Sequence, residues 1–312
     1  SQDIFNATSY DAMAMVIITL QAFAGMWINA FMVSVLCIAW VKKKSINSNE
    51  KILLFLGGSR FWYSCITWVY SFFSMIYPSC FHVHPIPQLF AAIQNFFNSS
   101  NLWISACLCF FYCIKIANFS HNFFIYLKAK IDRIVPWLLL GSVLLSLVMC
   151  NLVYDVTNRA HYNNLNSTTL GNFWKLSIRM DEHIFPNFFI SGFGFATAFT
   201  AVIFSALLLL FSLWRHKHKM QTNSMKNLSM DAHIKAMKFI LSFFLIYSIN
   251  FICLVLTLIY ATKKENPMTF LILVLQYSFP AVHSLTLIFS NPKLEKTLLR
   301  ILPCVKCKVC LR

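Results

Sequence analysis

The stretch Gln94–Ser120, QNFFNSSNLWISACLCFFYCIKIANFS, decides how this chain folds. It is long, apolar and free of carboxylates, yet Gln94, Asn98, Asn101 and Ser105 recur at steps of four, three and four. On a helix those four side chains share one face. Roughly 20 apolar residues at about 1.5 Å each cross a bilayer, so the stretch is long enough to span one. Hydrocarbon cannot satisfy amide side chains, so the stripe must face other helices or a wet cavity. For any single Asn the alternative is interhelical hydrogen bonding. A whole stripe running inward from one mouth fits a cavity wall and a central position in a bundle.

Working outward, the 312 residues are 58% hydrophobic and 12% charged, with a mean hydropathy of +0.65, which excludes an ordinary soluble domain. Hydropathy predicts seven spans, near 12–41, 51–77, 89–117, 134–154, 184–214, 236–260 and 268–290. Ten-residue alternating segments are absent, which rejects a β-barrel. The expected fold is therefore all-α: a seven-transmembrane bundle over 1–290, then a short amphipathic helix and Cys/Lys-rich tail over 291–312. In that second part Leu294, Leu298, Leu299 and Leu302 share a face, as in a helix lying on a membrane surface.

Charge sets the expected orientation. With the N-terminus outside, 20 of the 26 Lys and Arg fall in the inner loops and tail, five fall outside and Arg60 lies within the second span. Basic residues favour the cytoplasmic side, so the N-out, C-in arrangement follows. The net charge of +16 then points to anionic lipid headgroups and an acidic protein partner, not to nucleic acid. The first span opens about a dozen residues in and is full length, so no cleavable signal is expected. Asn6 and Asn166 sit in sequons on the outer side and are expected glycosylation sites.

Most of the eleven cysteines lie in spans and act as small apolar residues. The outer loop 155–183 has none, so no bridge joins it to the third span. Cys304, Cys307 and Cys310 have metal-thiolate spacing but lack a fourth ligand; palmitoylation beside the neighbouring lysines is the preferred reading. Neither a metal site nor a cofactor is expected. No catalytic constellation converges in the spans, so an enzyme is not expected either.

Within the second span, Gly57 and Gly58 permit close helix approach beside Arg60. No span offers a carboxylate to Arg60, so it should use neutral acceptors such as Asn29, Ser284 or span-seven backbone. Its expected role is structural or switching. The fifth span ends in a basic stretch that should protrude into the cytoplasm, and Pro136 is placed near the start of the fourth. Pro280 should kink the seventh, where His283 lies deep.

In order along the chain, Leu56-x-x-Ser59-Arg60, Phe111-Tyr112-x-x-Lys115-Ile116-Ala117-Asn118-Phe119-Ser120 and Leu213-Trp214 with His216, Lys219, Met220 and Gln221 form one ordered series. Ala232-His233 with Ser242, Phe243 and Tyr247 continues it, and Pro280, His283-Ser284-x-x-Leu287-Ile288-x-x-Asn291-x-Lys293-Leu294 completes it. The series resembles the bitter-taste receptors, a class of seven-helix G-protein-coupled receptors, over essentially all spans and inner loops. Departures exist: Ala198 stands before Phe199 where the family often has proline, Gln94 where many members have Trp, and Phe279 where many have Tyr. They touch the pocket and the kink, so ligand range does not carry over.

The resemblance implies a multi-pass plasma-membrane receptor that detects small bitter molecules and activates a gustducin-type, Gi-like heterotrimeric G protein. Membrane lipids are expected partners, with sterol among the options. The candidate ligand wall is Trp68, Ser71, Gln94, Asn95, Asn98, Asn187, Asn250, Leu273 and Gln276. Interfacial packing is the alternative for Trp68, and interhelical bonding for Asn250. The candidate switch set is Asn29, Arg60, Tyr112, Tyr247, Pro280, His283 and Ser284. For G-protein coupling the candidates are Tyr112, Lys115, Asn118, His216, Lys219 and His233. A pheromone-type vomeronasal receptor is the near alternative, and a small-molecule transporter or channel the alternative from another class.

Overall fold

The computed structural model describes residues 2–77, 83–116, 122–164, 185–222, 241–256 apart from 243 and 254, and 267–309. Every regular element among them is a helix. In chain order these are α1 (Gln2–Lys43), α2 (Ser48–Ile76), α3 (Ile86–Ile116), α4 (Asn122–Asn164), α5 (Phe185–Thr222), α6 (Phe244–Cys253), α7 (Pro267–Ser290) and α8 (Pro292–Val309). Windows in α1 to α5 are each long and apolar enough to cross a membrane.

Burial picks out the central helix. In α3, 72% of the apolar window is buried, against 28%, 44%, 22% and 41% for α1, α2, α4 and α5. It packs against α2, α4 and α5, and its polar residues Ser99, Ser100, Asn101 and Ser105 are all buried. The expected central position of this stretch and the expected all-helical bundle are both observed.

Several helices run past their predicted ends. α1 begins at Gln2 rather than near 12, so Asn6 lies on a helix. α4 begins at Asn122 rather than near 134 and continues to Asn164, into the segment expected as loop from 155. Pro136 is consequently well inside α4 and not near its start. Hydropathy marks where a helix meets hydrocarbon, whereas the hydrogen-bond ladder stops only at a breaker, and these flanks contain none.

Two apolar clusters hold the bundle. At the end where α8 joins, Met32, Leu36, Ile52, Leu53, Leu56, Leu108, Phe111, Ile131, Leu287 and Ile288 close together as an inner cluster, with Leu294 of α8 fully buried among them. Further along, α3, α5, α6 and α7 meet at Ala106, Phe199, Val202, Tyr247 and Phe279. There Phe199 stacks on Phe251 at 4.3 Å, and the preceding Ala198 is fully buried.

α8 is fastened at its first turn. The Asn291 side chain accepts the backbone N–H of Lys293 at 3.0 Å, and Lys293 Nζ donates to Glu50 Oε1 of α2 at 2.6 Å. Pro292 at the first helical position suits that start. The expected apolar face divides in two: Leu294 and Leu298 pack on the bundle, whereas Leu299 points outward. The side chain of Leu302 lies outside the described residues.

Candidate functional site

Close approach of α1 and α2 is the first requirement of the site. A Cβ on Gly57 would stand 2.7 Å from Met32 Cε, and one on Gly25 would stand 2.5 Å from Ser64 Oγ. No larger residue fits without a shift, so these glycines bring Asn29 and Arg60 into one layer.

In that layer a polar junction joins five helices. Arg60, fully buried, donates from one terminal nitrogen to Ser284 Oγ at 2.8 Å. Its other terminal nitrogen donates to Ser105 Oγ at 3.3 Å and to His283 Nδ1. Ser284 Oγ donates onward to Asn29 Oδ1 at 2.7 Å, and Asn29 Nδ2 donates to Gly25 O at 2.8 Å. Tyr247 of α6 brings its hydroxyl to 3.2 Å from His283 Nδ1 and its ring edge-on to His283 and Phe279. With Nδ1 accepting, the neutral His283 carries its proton on Nε2. Pro280 is buried one turn along α7 from the pair His283-Ser284. A buried guanidinium facing neutral partners is costly unless several share the load: here Ser284, Ser105 and His283 accept from it and Tyr247 stands beside it, although its Nε has no partner among the described residues. Asn29 and Ser284 were expected as partners; Ser105 and His283 reach Arg60 as well.

Towards the other end of α3 the polar groups are less fully engaged. Gln94 Nε2 donates to Thr67 Oγ1 of α2 at 3.2 Å, and Gln94 also lies beside Tyr63 and Tyr277. Asn95 Oδ1 accepts from Ser99 Oγ at 3.2 Å, and Asn98 is half-buried. Asn101 is buried, yet among the described residues neither its amide nitrogen nor its oxygen has a hydrogen-bond partner. The buried Ser71 donates to Thr67 O within its own helix at 2.9 Å. Trp68 is half-buried and packs on Phe23 of α1 and on Phe72, with centroids at 5.7 and 5.3 Å. Asn250 and Gln276 are half-buried on α6 and α7. Asn187 and Leu273 lie on α5 and α7 with side chains outside the described residues. Sequence reading missed Thr67, Tyr63 and Tyr277 here, and also Gln21, whose Nε2 ties α1 to Val274 O of α7 at 2.9 Å. Gln21 had a signal, a lone amide in an apolar span; the tyrosines had none.

At the basic end of α3, Tyr112 packs between the inner cluster and Leu209 of α5. Lys115 Nζ pairs with Asp132 Oδ2 of α4 at 2.7 Å, a partner the sequence reading did not assign it. α5 carries His216 and Lys219 on a helix that runs on to Thr222, and their side chains lie outside the described residues. Asn118, His233, Asn166 and Cys310 also lie outside them; Cys304 and Cys307 fall on α8 with side chains that do too.

Long apolar helices around a polar central one, locked at mid-height and basic at one end, define a seven-helix membrane receptor. The crystal structure of squid rhodopsin has that fold: its TM-score is 0.61 over 95% of this chain and 87% of that one, at 13% identity. The family model described as Taste receptor protein (TAS2R) matches residues 7–306, and the chain belongs to that family. Taste receptor type 2 member 9 of Papio hamadryas is 30% identical over 311 residues, covering 96% of each chain. Taste receptor type 2 member 2 of Homo sapiens is 30% identical over 310 residues, covering 97% of this chain and all of that one. The protein is thus a multi-pass membrane taste receptor with the fold of the G-protein-coupled receptors, not an enzyme.

Proposed function

We propose that this receptor binds small bitter-tasting molecules in a cavity between the outer halves of α2, α3, α5, α6 and α7. Binding there favours an arrangement whose inner face activates a gustducin-type, Gi-like G protein. The observation that carries the ligand site is Asn101, a buried amide with neither atom paired, on the same helical face as Gln94 and Asn98. Such a group is costly to bury and gains most from a polar ligand atom. Trp68, Ser71, Asn95, Asn187, Asn250, Leu273 and Gln276 complete the proposed wall.

On this reading the N-terminus is outside and the chain resides in the plasma membrane. Asn6 and Asn166 carry the glycans, and residues 291–312 form a separate cytoplasmic unit acylated at Cys304, Cys307 and Cys310. Tyr112, Lys115, Asn118, His216, Lys219 and His233 form the G-protein face, and Asn29, Arg60, Tyr112, Tyr247, Pro280, His283 and Ser284 the switch. Membership of the taste-receptor family sets aside the pheromone-receptor and transporter readings.

The test is a panel of bitter compounds applied to cells expressing the receptor with a gustducin-like chimeric G protein. A calcium response to some compounds, lost without the chimera, is expected. Silence across the panel from a receptor present at the surface would overturn the reading.

A further inference from the structure

The outward face of α4 carries a pattern that neither the ligand cavity nor the G-protein face uses. Tyr126, Lys130, Arg133, Trp137, Leu140, Leu144 and Val148 are all exposed. At about 100° per residue the seven fall within a sector of about 80°, one continuous stripe along the helix. Ile131, Val135, Leu139, Ser142 and Ser146 are buried on the opposite side, so the stripe points straight away from the bundle. Its order is polar to apolar: two cations, then an indole, then aliphatic side chains. Trp137 is 73% exposed, among the most exposed large apolar residues described. Lys130 is held in place, since Nζ donates to Tyr126 Oη at 2.6 Å and lies 4.4 Å from that ring centroid.

The geometry points to a binding site for one anionic phospholipid, with its phosphate between Lys130 and Arg133, its glycerol region on Trp137 and a chain along Leu140, Leu144 and Val148. Charge complementarity argues for an anionic headgroup. No carboxylate on this face is within reach of the two cations: Asp155 shares the sector but is about 33 Å along the axis from Arg133, and Asp132 is turned about 100° from Arg133 and already engaged by Lys115. Arg133 and Trp137 are about 6 Å apart along the axis, which matches the step from phosphate to ester depth where indoles settle. The Tyr126–Lys130 contact lowers the ordering cost of one cation before the lipid arrives. Assignment to the cytoplasmic leaflet rests on the sidedness proposed above.

The experiment is native mass spectrometry of the full chain, released from detergent with added dioleoylphosphatidylserine, dioleoylphosphatidylcholine or cholesterol. Phosphatidylserine adducts should outlast phosphatidylcholine adducts. Lys130→Gln with Arg133→Gln should cut them about tenfold, and Trp137→Ala about threefold, with thermal midpoints unchanged. Lys296→Gln with Arg300→Gln removes the same charge from α8 and should leave retention near the parent level. Equal retention of both phospholipids, equal retention by parent and α4 double variant, or charge-independent capture of cholesterol each overturns the site. Micelles have no leaflets, so antibody access to the tail in intact cells tests sidedness separately: a tail found outside would remove the leaflet assignment and leave the site standing.

Discussion

The two halves of α3 put their polar groups to opposite use: the half from Ser105 on presents hydroxyls, and the half up to Asn101 presents amides as well. Ser105 accepts from the Arg60 guanidinium, which also reaches His283, and Tyr247 closes on His283 in turn, so groups from three other helices interlock there. Towards Gln94 the ties are local, to Thr67, Tyr63 and Tyr277, and Asn101 has no hydrogen-bond partner among the described residues. Amide content separates the halves, and so does the number of helices whose polar side chains join at one level: five at the junction, whereas Gln94 meets α2 and α7. A junction with converging partners holds the bundle in shape, whereas a level with spare amides keeps recognition capacity for something else.

The largest expected break in this contrast is Arg60→Leu. It strips the shared donor from Ser284, Ser105 and His283, at about 3 kcal/mol from lost buried hydrogen bonds. Thermal melting of purified receptor should fall by roughly 10 °C, with reduced surface expression. An unchanged midpoint would mean that the junction contributes nothing to the fold. Gly57→Val comes next, because even its Cβ would stand 2.7 Å from Met32 Cε and 3.0 Å from Val33 Cγ2, so both side chains must shift where α1 meets α2. Overpacking there should cost about 2 kcal/mol in the same assay.

The outer half should behave in the opposite way. Asn101→Leu removes two unpaired buried polar atoms, so the ligand-free midpoint should hold or rise by about 2 °C while agonist potency drops about tenfold. Asn98→Asp should abolish the response yet leave the receptor at the surface, measured by calcium signal beside an extracellular epitope count. Loss of stability from Asn101→Leu, with potency intact, would make the two halves alike. The smallest effect is expected from Lys115→Ala, since the pair with Asp132 is exposed and worth under about 1 kcal/mol. Combined with Lys219→Ala it should lower G-protein activation while radioligand binding stays constant.

The contrast also marks what one sequence can disclose. Hydropathy located the helices, and the four-three-four spacing of Gln94, Asn98, Asn101 and Ser105 placed α3 with its amides inward. Absence of carboxylates in the expected spans directed attention to neutral partners for Arg60. Which neutral partners was only half legible, because periodicity orients residues around one axis and says nothing of the relative height of two helices. Ser105 and His283 depend on that height. The Lys115–Asp132 pair escaped for another reason: Asp132 precedes the fourth span as hydropathy draws it, although the helix itself starts ten residues earlier, at Asn122. Ends of helices obey backbone bonding, not solvent preference.

The fastening of α8 has a mechanical side. Glu50 holds Lys293 by its side chain, and Leu294 is wedged fully into the inner cluster, so the feet of α2, α7 and α8 are bolted to one plate. Sideways travel of α8 at that level would therefore carry α2 with it: the strap from Glu50 to Lys293 makes these helix ends one mechanical unit.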